Sequence, residues 1–285
     1  MKLVTFERNP GIAEAGVLID EIVVALTGAG INAVLEIAAG GASALEKVSA
    51  YVASAPQTAK TSLASVKLHA PIPKPGKIFC IGLNYRDHAI ESNMAIPAVP
   101  TIFSKFNNTV IATGDQIVLP RVSTQPDYEA EFALVIGKGG KRIAAEDWKA
   151  HVFGYMNLND VSARDLQLVT TQWLMGKTPD TFAPMGPYLL TADEVADPHN
   201  LNITMTINGE VLQSSNTKHL IFRIPELIAY ISQVVTLEPG DIISTGTPSG
   251  VGFARKPPRY LAAGDTCVVE VEGLGKLVNP VVVED

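Results

Sequence analysis

The chain has 285 residues, of which 47% are hydrophobic, and its formal net charge is −7. This length and apolar content are enough for a large core, in one large domain or in a large and a small one. Its basic residues do not form a run, which argues against a nucleic-acid partner. The two cysteines, Cys80 and Cys267, are too few for a disulfide scaffold, and they suit a reducing compartment.

The sequence also bears on location. The first segment, MKLVTFERNPG, carries Glu7 early and lacks an unbroken apolar core, so it does not have the pattern of a signal peptide. No apolar run reaches the roughly 18 residues that a membrane helix needs, and we expect no membrane partner. The simplest expectation is a soluble cytoplasmic protein.

Residues 1–70 are predicted to form a small N-terminal α/β domain. Two short strands, at 3–6 and 16–19, precede an alanine-rich segment at 31–55 that has helical spacing. Three prolines at 71, 73 and 75 then make a stiff connector. We therefore expect a domain boundary there, with a second domain at 71–285.

Strand patterns dominate the second domain, and glycine, proline and asparagine separate them. The stretch TINGEVLQ is typical of a hairpin that turns at Asn208 and Gly209. Helices are predicted only after Asn84, at 144–150, after Asn159 and at 221–235. This is the pattern of a β-rich α+β fold, not of a doubly wound sheet.

One strand raises a question of charge. In DYEAEFALVIG, Glu129 and Glu131 alternate within an otherwise apolar run, so both carboxylates point to the same face. Two buried like charges would cost several kcal/mol unless something neutralised them. A divalent cation or basic partners would do so, and the alternative is a solvent-exposed face.

A third acid follows in NDVSARDLQ, where Asp160 is predicted to start a helix. Arg164 and Gln167 would then lie on the same helical face. A carboxylate, a guanidinium and an amide so placed suit a site for a metal at one end and an anion at the other. The alternatives are an N-cap and an exposed salt-bridged face.

Another candidate pair stands in NYRDHAIESN. His88 and Glu91 are three residues apart and would be neighbours on a helix. A carboxylate beside an imidazole orients it and raises its basicity, so the pair could activate water. A position just after a buried strand is typical of functional residues.

Two later stretches add polar groups. Lys177 stands in a loop rich in glycine and proline, where a lysine can neutralise a developing oxyanion; the alternative is a surface lysine. In STGTPSGVG, the backbone N–H groups around Gly246 and the hydroxyl of Thr247 could bind a carboxylate. A plain glycine turn is the alternative there.

Taken together and in this order, NYRDHAIE, DYEAEFALVIG, NDVSARDLQ, GKTPDTFAPMGP and STGTPSGVG resemble the fumarylacetoacetate hydrolase superfamily over residues 71–285. The resemblance implies a mixed β-sandwich roll and a homodimer. It also implies Mg²⁺ or Mn²⁺ held by three carboxylates, which match Glu129, Glu131 and Asp160. Such an oxygen ligand set suits a hard cation.

The resemblance further implies a hydrolase that cleaves a C–C bond in acylpyruvates or 2,4-diketo acids, in aromatic or sugar acid catabolism. Pyruvate enolate would leave, with the metal as Lewis acid. His88 oriented by Glu91 would be the base, on a lid at 84–100, and Lys177 would stabilise the oxyanion. The implied substrate-binding residues are Arg164, Gln167, Thr247, Tyr85 and Gly246.

The same constellation serves related reactions. Isomerases of 2-hydroxy-dienedioates and decarboxylases of oxaloacetate-type acids share the enolate intermediate, and a catalytically silent member is a further alternative. Lys105, in FSKFNN, is expected either to reach the site or to lie on the surface.

Overall fold

A computed structural model describes residues 1–284, which form nineteen strands and five α-helices. The strands are β1 (Lys2–Asn9), β2 (Ile12–Ile19), β3 (Ile22–Ala25), β4 (Lys60–Ser62), β5 (Lys67–His69), β6 (Ile78–Gly82), β7 (Thr101–Ser104), β8 (Val110–Ile111), β9 (Ile117–Leu119), β10 (Pro126–Asp127), β11 (Ala130–Ile136), β12 (Val152–Asn159), β13 (Ser162–Ala163), β14 (Ala183–Thr191), β15 (Asn202–Ile207), β16 (Glu210–Asn216), β17 (Ile242–Ser244), β18 (Thr266–Val271) and β19 (Lys276–Val283). The helices are α1 (Val34–Ser54), α2 (Arg86–Glu91), α3 (Arg164–Gln167), α4 (Leu174–Lys177) and α5 (Ile224–Ser232). The prediction of a β-rich α+β fold is confirmed.

The largest sheet has the order β4-β3-β2-β1-β14-β12-β11-β17-β6-β7, and β5 and β8 pair with β1 and β14. Strand β11 lies inside this sheet, antiparallel to both β12 and β17. All seven of its residues are buried, which explains its nearly continuous apolar sequence. Glu131 therefore lies in a fully buried strand, and Glu129 immediately precedes it.

A second sheet, of order β16-β15-β18-β19-β9, covers one face of β11. Phe132 and Leu134 of β11 share a core cluster with Ile203 and Val269 of this sheet. The hairpin of β15 and β16 turns at Asn208 and Gly209, both at positive φ, as predicted. The second sheet therefore excludes water from one face of β11.

The N-terminal strands continue the large sheet, because β1 pairs with β14. Helix α1 packs Val34 and Ile37 into a cluster with Ala133 and Val135, on the other face of β11. Its helical backbone is interrupted at Gly41, which has φ 56°. The division into domains at 1–70 and 71–285 stays a prediction.

Two local predictions are wrong. Asp160 does not start a helix, since it follows the end of β12 and the next helix begins only at Arg164. Lys177 does not lie in a loop but is the last residue of α4. Across residues 1–284, every helix is too short or too polar to cross a bilayer.

Candidate active site

Three carboxylates converge where β11 begins and β12 ends. Oxygen atoms of Glu129, Glu131 and Asp160 lie within 4.8 Å of one another, and all three residues are buried. The register of the two strands produces this cluster, because Ala130 pairs with Asn159 and the Asp160 N–H donates to Glu129 O at 2.9 Å. Glu129 and Glu131 do share a face, and it is not exposed to solvent.

Three basic side chains neutralise part of the cluster. Lys177 Nζ lies 2.8 Å from both Glu129 Oε2 and Asp160 Oδ2. Arg164 Nη2 lies 2.6 Å from Glu129 Oε1. Lys105 Nζ contacts Asp160 Oδ1 and donates to Val161 O, and its side chain is fully buried. Of the two expectations for Lys105, the structure therefore supports the one in which it reaches the site.

Glu131 differs from the other two acids. Its Oε2 accepts bonds only from neutral donors, the Ser244 hydroxyl and the Gly246 N–H, and no lysine or arginine in the described part of the chain is ion-paired with it. Burial raises its pKa well above the usual range, and Asp160 and Glu129 raise it further. Glu131 is therefore the acid of the cluster whose ionised form has no basic partner.

Glu129 shows the opposite balance. Burial alone would raise its pKa, but the charges of Lys177 and Arg164 outweigh burial and hold the pKa below its usual range. Burial also lowers the pKa of Lys177, and Asp160 and Glu129 reverse this, so that the net shift is upward. Both groups therefore stay charged at neutral pH.

The cluster fits Mg²⁺ or Mn²⁺. All three donors are carboxylate oxygens, which hard divalent cations prefer. Ionisation of the buried Glu131, which has no basic partner among the described residues, is also costly. A divalent cation would remove this cost and leave the centre attractive to an anionic substrate.

The histidine pair lies in the same place. His88 Nδ1 is 2.9 Å from Glu91 Oε1 on α2, and His88 is buried and lines the cavity above the carboxylates. The Gly250 N–H donates to both oxygens of Glu91, at 3.0 and 2.9 Å. The pair is therefore docked onto the loop after β17, and His88, Ser92 and Met94 of the segment at 84–100 line the cavity.

The predicted substrate-binding residues divide into two groups. Arg164, Gln167 and Thr247 line the cavity, and Arg164 Nη1 donates to Gln167 Oε1 at 2.9 Å. Tyr85 is buried outside the cavity lining. Gly246 also lies outside it and supports Glu131 instead, and a Cβ there would lie 2.8 Å from Ile81 O.

Aromatic side chains enclose the cations. The Phe103 ring lies 4.8 Å from Lys177 Nζ, and the Phe253 ring lies 4.5 Å from the Arg164 guanidinium. Trp173 packs edge-on against Phe103, with 5.5 Å between ring centroids. These rings lower the local polarity, which strengthens electrostatic interactions with a bound anion.

Two residues that support the site were not predicted from the sequence. Asp127 is fully buried, and its carboxylate accepts a bond from Arg164 Nε at 2.8 Å. Gln213 Nε2 donates to Thr247 Oγ1 at 2.8 Å, while its Oε1 accepts from the Ala130 N–H. Asp127 stands two residues before Glu129, so the alternation that revealed the glutamates also included it. Gln213 lies in a hairpin and has no such signal.

Known proteins resemble this chain over most of its length. Rat oxaloacetate tautomerase Fahd2a, mitochondrial, is 52% identical over 214 residues, which cover 75% of this chain and 68% of the rat protein. The crystal structure of maleylpyruvate hydrolase from Sphingobium sp. SYK-6, in complex with manganese and pyruvate, is 31% identical with a TM-score of 0.85 and full coverage of both chains. A 2-hydroxyhepta-2,4-diene-1,7-dioate isomerase from Mycobacterium marinum is 31% identical with a TM-score of 0.78, covering 100% of this chain and 99% of that one.

These comparisons correct one expectation and confirm another. The name of the rat relative places it in mitochondria, which overturns the expected cytoplasmic location. The predicted family fold is confirmed by the structural neighbours. Residues 77–282 match the family model described as fumarylacetoacetate (FAA) hydrolase C-terminal, and the chain belongs to the fumarylacetoacetate hydrolase family.

Proposed function

We propose that the protein is a divalent-metal-dependent enzyme that interconverts the enol and keto forms of oxaloacetate-type 2-oxo acids. The rat relative described above, 52% identical to this chain, carries the name of this activity. The observation that carries the proposal is the buried His88, which contacts Glu91 and lines the same cavity as Glu129 and Glu131. This places a proton-transfer group beside a centre suited to an enolate.

His88 is oriented for proton transfer by its neighbours. Its Nδ1 contacts Glu91, which leaves Nε2 as the nitrogen available to the cavity. In our mechanism, Nε2 takes a proton from C3 of the keto acid, the electron pair moves to the C2 oxygen, and the imidazolium then returns the proton to that oxygen to give the enol. The reverse sequence returns the keto form. Glu91 stabilises the imidazolium between the two proton transfers.

The other polar residues bind and orient the acid. Arg164 and Gln167 present a guanidinium and an amide to the cavity, which suits a carboxylate. The buried ammonium of Lys177 supplies positive charge near the developing enolate oxygen. When bound by Glu129, Glu131 and Asp160, Mg²⁺ or Mn²⁺ would supply Lewis-acid stabilisation of the enolate.

C–C bond hydrolysis of acylpyruvates is the second candidate. The same histidine could activate water, and the Sphingobium neighbour, a maleylpyruvate hydrolase, has the same fold over the full chain. Decarboxylation of an oxaloacetate-type acid is a third outcome of the same enolate chemistry. The reactions differ in what becomes of the enolate and not in the groups that form it.

One experiment separates these reactions. Purified protein is given oxaloacetate, acetylpyruvate or fumarylpyruvate with Mg²⁺, with Mn²⁺ or with EDTA, and the products are followed by NMR in D₂O. Metal-dependent ketonisation of enol-oxaloacetate, faster than without protein and without loss of carbon, is the expected result. Metal-dependent release of pyruvate with a second acid would support hydrolysis instead, and pyruvate with CO₂ would support decarboxylation.

A further inference from the structure

We propose that Asp127 is a positioning residue, which holds the substrate-binding arginine and the loop that supports the histidine pair in one arrangement. This inference rests on the proposed function, in which Arg164 binds the acid and His88 transfers the proton. Asp127 is not one of the three clustered carboxylates. Its side chain is nevertheless fully buried and saturated with hydrogen bonds, so that its negative charge must serve another purpose.

Asp127 holds Arg164 in one orientation. Asp127 Oδ2 accepts from Arg164 Nε at 2.8 Å. The same guanidinium contacts Glu129 through Nη2 and Gln167 through Nη1. Asp127 therefore fixes the edge of the guanidinium that the other two contacts leave free, and the plane of the arginine is set before any substrate arrives.

Asp127 also binds the loop after β17. Asp127 Oδ1 accepts from the Gly252 N–H at 2.7 Å, and Oδ2 accepts from the Phe253 N–H at 3.1 Å. The Phe253 ring in turn lies over the Arg164 guanidinium. The adjoining Tyr128 hydroxyl donates to Gly250 O at 3.1 Å. Two consecutive residues, Asp127 and Tyr128, therefore hold the loop in place by hydrogen bonds at positions 250, 252 and 253.

This loop carries the histidine pair. The Gly250 N–H is the donor that holds both oxygens of Glu91, and Glu91 in turn contacts His88. Through the loop, Asp127 is thus connected to the lid, and through Arg164 to the carboxylate cluster. A shift of the loop by even about 1 Å would displace the base from the acid that it serves, and such misplacement can cost about a hundredfold in rate.

The substitution Asp127→Asn tests this arrangement, because the Asp127 carboxylate is the acceptor in all four of its hydrogen bonds. Tyr128 and Gly252 donate to Oδ1, and Arg164 and Phe253 donate to Oδ2. An amide in either orientation turns an NH₂ group towards one pair of donors. We expect KM for oxaloacetate to rise by about tenfold or more, as for the loss of a charged hydrogen bond. We also expect faster hydrogen exchange of the Gly252 and Phe253 amides.

Asp241→Asn is the matched control. Asp241 is also fully buried, pairs with Lys77 at 3.0 Å and accepts from the Glu238 N–H at 2.8 Å, but none of these residues lines the cavity. Both variants should lose thermal stability, while only Asp127→Asn should change KM and the exchange of the loop. A KM change of the same size in both variants, or faster exchange with unchanged KM, would overturn the proposal.

Two further measurements keep the test decisive. If Asp127→Asn does not fold, Gly252→Ala perturbs the loop at the same point, because a Cβ there would clash with Arg259 O and would also lie 2.5 Å from Asp127 Oδ1, and it should raise KM in the same direction. If the wild type does not turn over oxaloacetate, the proposed function fails. Calorimetry with oxalate on the Mn²⁺-loaded protein then decides on Asp127, and weaker binding in Asp127→Asn than in Asp241→Asn is expected. Equal binding would overturn the proposal.

Discussion

The carboxylate cluster and the segment that carries the histidine pair are built in different ways. Glu129, Glu131 and Asp160 are 4%, 1% and 0% exposed, and they are positioned by strands inside the largest sheet. His88 and Glu91 lie on α2, which has six residues, and most residues from 86 to 99 are exposed or half-exposed. Side-chain bonds to Ser249 and Gly250 hold this helix to the loop after β17.

This difference separates two steps of the reaction. The sheet fixes the groups that would hold the metal, so that centre should persist without the lid. Most residues of the lid from 86 to 99 are exposed or half-exposed, and local opening costs the least free energy where few residues are buried. Substitutions in the cluster should therefore affect metal binding and turnover together, whereas substitutions in the lid should affect turnover alone.

The largest expected effect follows from Glu131→Gln. The amide replaces the carboxylate that has no basic partner among the described residues, and so removes an anionic ligand for the metal. Loss of a residue that only orients a metal ligand lowers metal affinity or activity by about 10–100-fold. Glu131 would be a ligand itself, so we expect more than about a hundredfold loss of both Mn²⁺ affinity and kcat/KM. Calorimetry with Mn²⁺ and steady-state kinetics measure the two effects.

Glu14→Gln is the control for this variant. Glu14 is also a buried glutamate, but it is ion-paired with Arg8 at 2.6 Å in the N-terminal strands. It should lower stability without changing Mn²⁺ affinity. Normal Mn²⁺ affinity in Glu131→Gln would show that the cluster is not the metal site.

His88→Asn should separate the two regions most clearly. The asparagine cannot transfer the proton, and general acid–base catalysis contributes about 10²–10⁴-fold, so we expect kcat to fall by that factor. Mn²⁺ affinity should stay unchanged, because the carboxylates are held by the sheet. Another buried histidine, His151, whose Nδ1 contacts Lys138 O, supplies the control His151→Asn. Full turnover in His88→Asn would rule out the proposed base.

The local sequence pattern predicted the residues of the cluster better than it predicted the secondary structure around them. Strand alternation placed Glu129 and Glu131 on one face, and the predicted face is the one that carries the site. The sequence ND at 159–160 resembles a helix start, but the pairing of Asn159 with Ala130 extends β12 to that point. The contribution of Asp160 thus depends on a partner strand that local spacing does not reveal.

Contacts between distant residues account for most of what the sequence did not predict. Lys105 meets Asp160, and Asp127 meets both Arg164 and the loop at 252–253. These pairs are 55, 37 and 125 residues apart along the chain. No periodicity connects positions at such separations, whereas the His88–Glu91 pair lies within one helical turn and was readable.

A smaller effect is expected from Glu91→Gln. The amide can still contact either His88 or Gly250, but it no longer stabilises an imidazolium, so kcat should fall by about tenfold, within the range for residues that orient a catalytic group. The half-buried pair of Glu7 and His69, 3.0 Å apart, supplies the control Glu7→Gln. A loss in Glu91→Gln as large as that in His88→Asn would make the glutamate a direct participant in proton transfer.

The smallest effect is expected from Ser249→Ala. The Ser249 hydroxyl donates to Asp87 Oδ2 at 2.7 Å, but this bond is exposed to solvent. Surface substitutions of this kind change stability by about 0.5 kcal/mol or less, so KM should change by about twofold at most. Steady-state kinetics and hydrogen exchange of residues 86–91 measure the change. A tenfold rise in KM would show that this single bond controls closure. The position of the lid would then depend on the exposed bond between Ser249 and Asp87. The partly buried bond between Gly250 and Glu91 would not be enough to hold it.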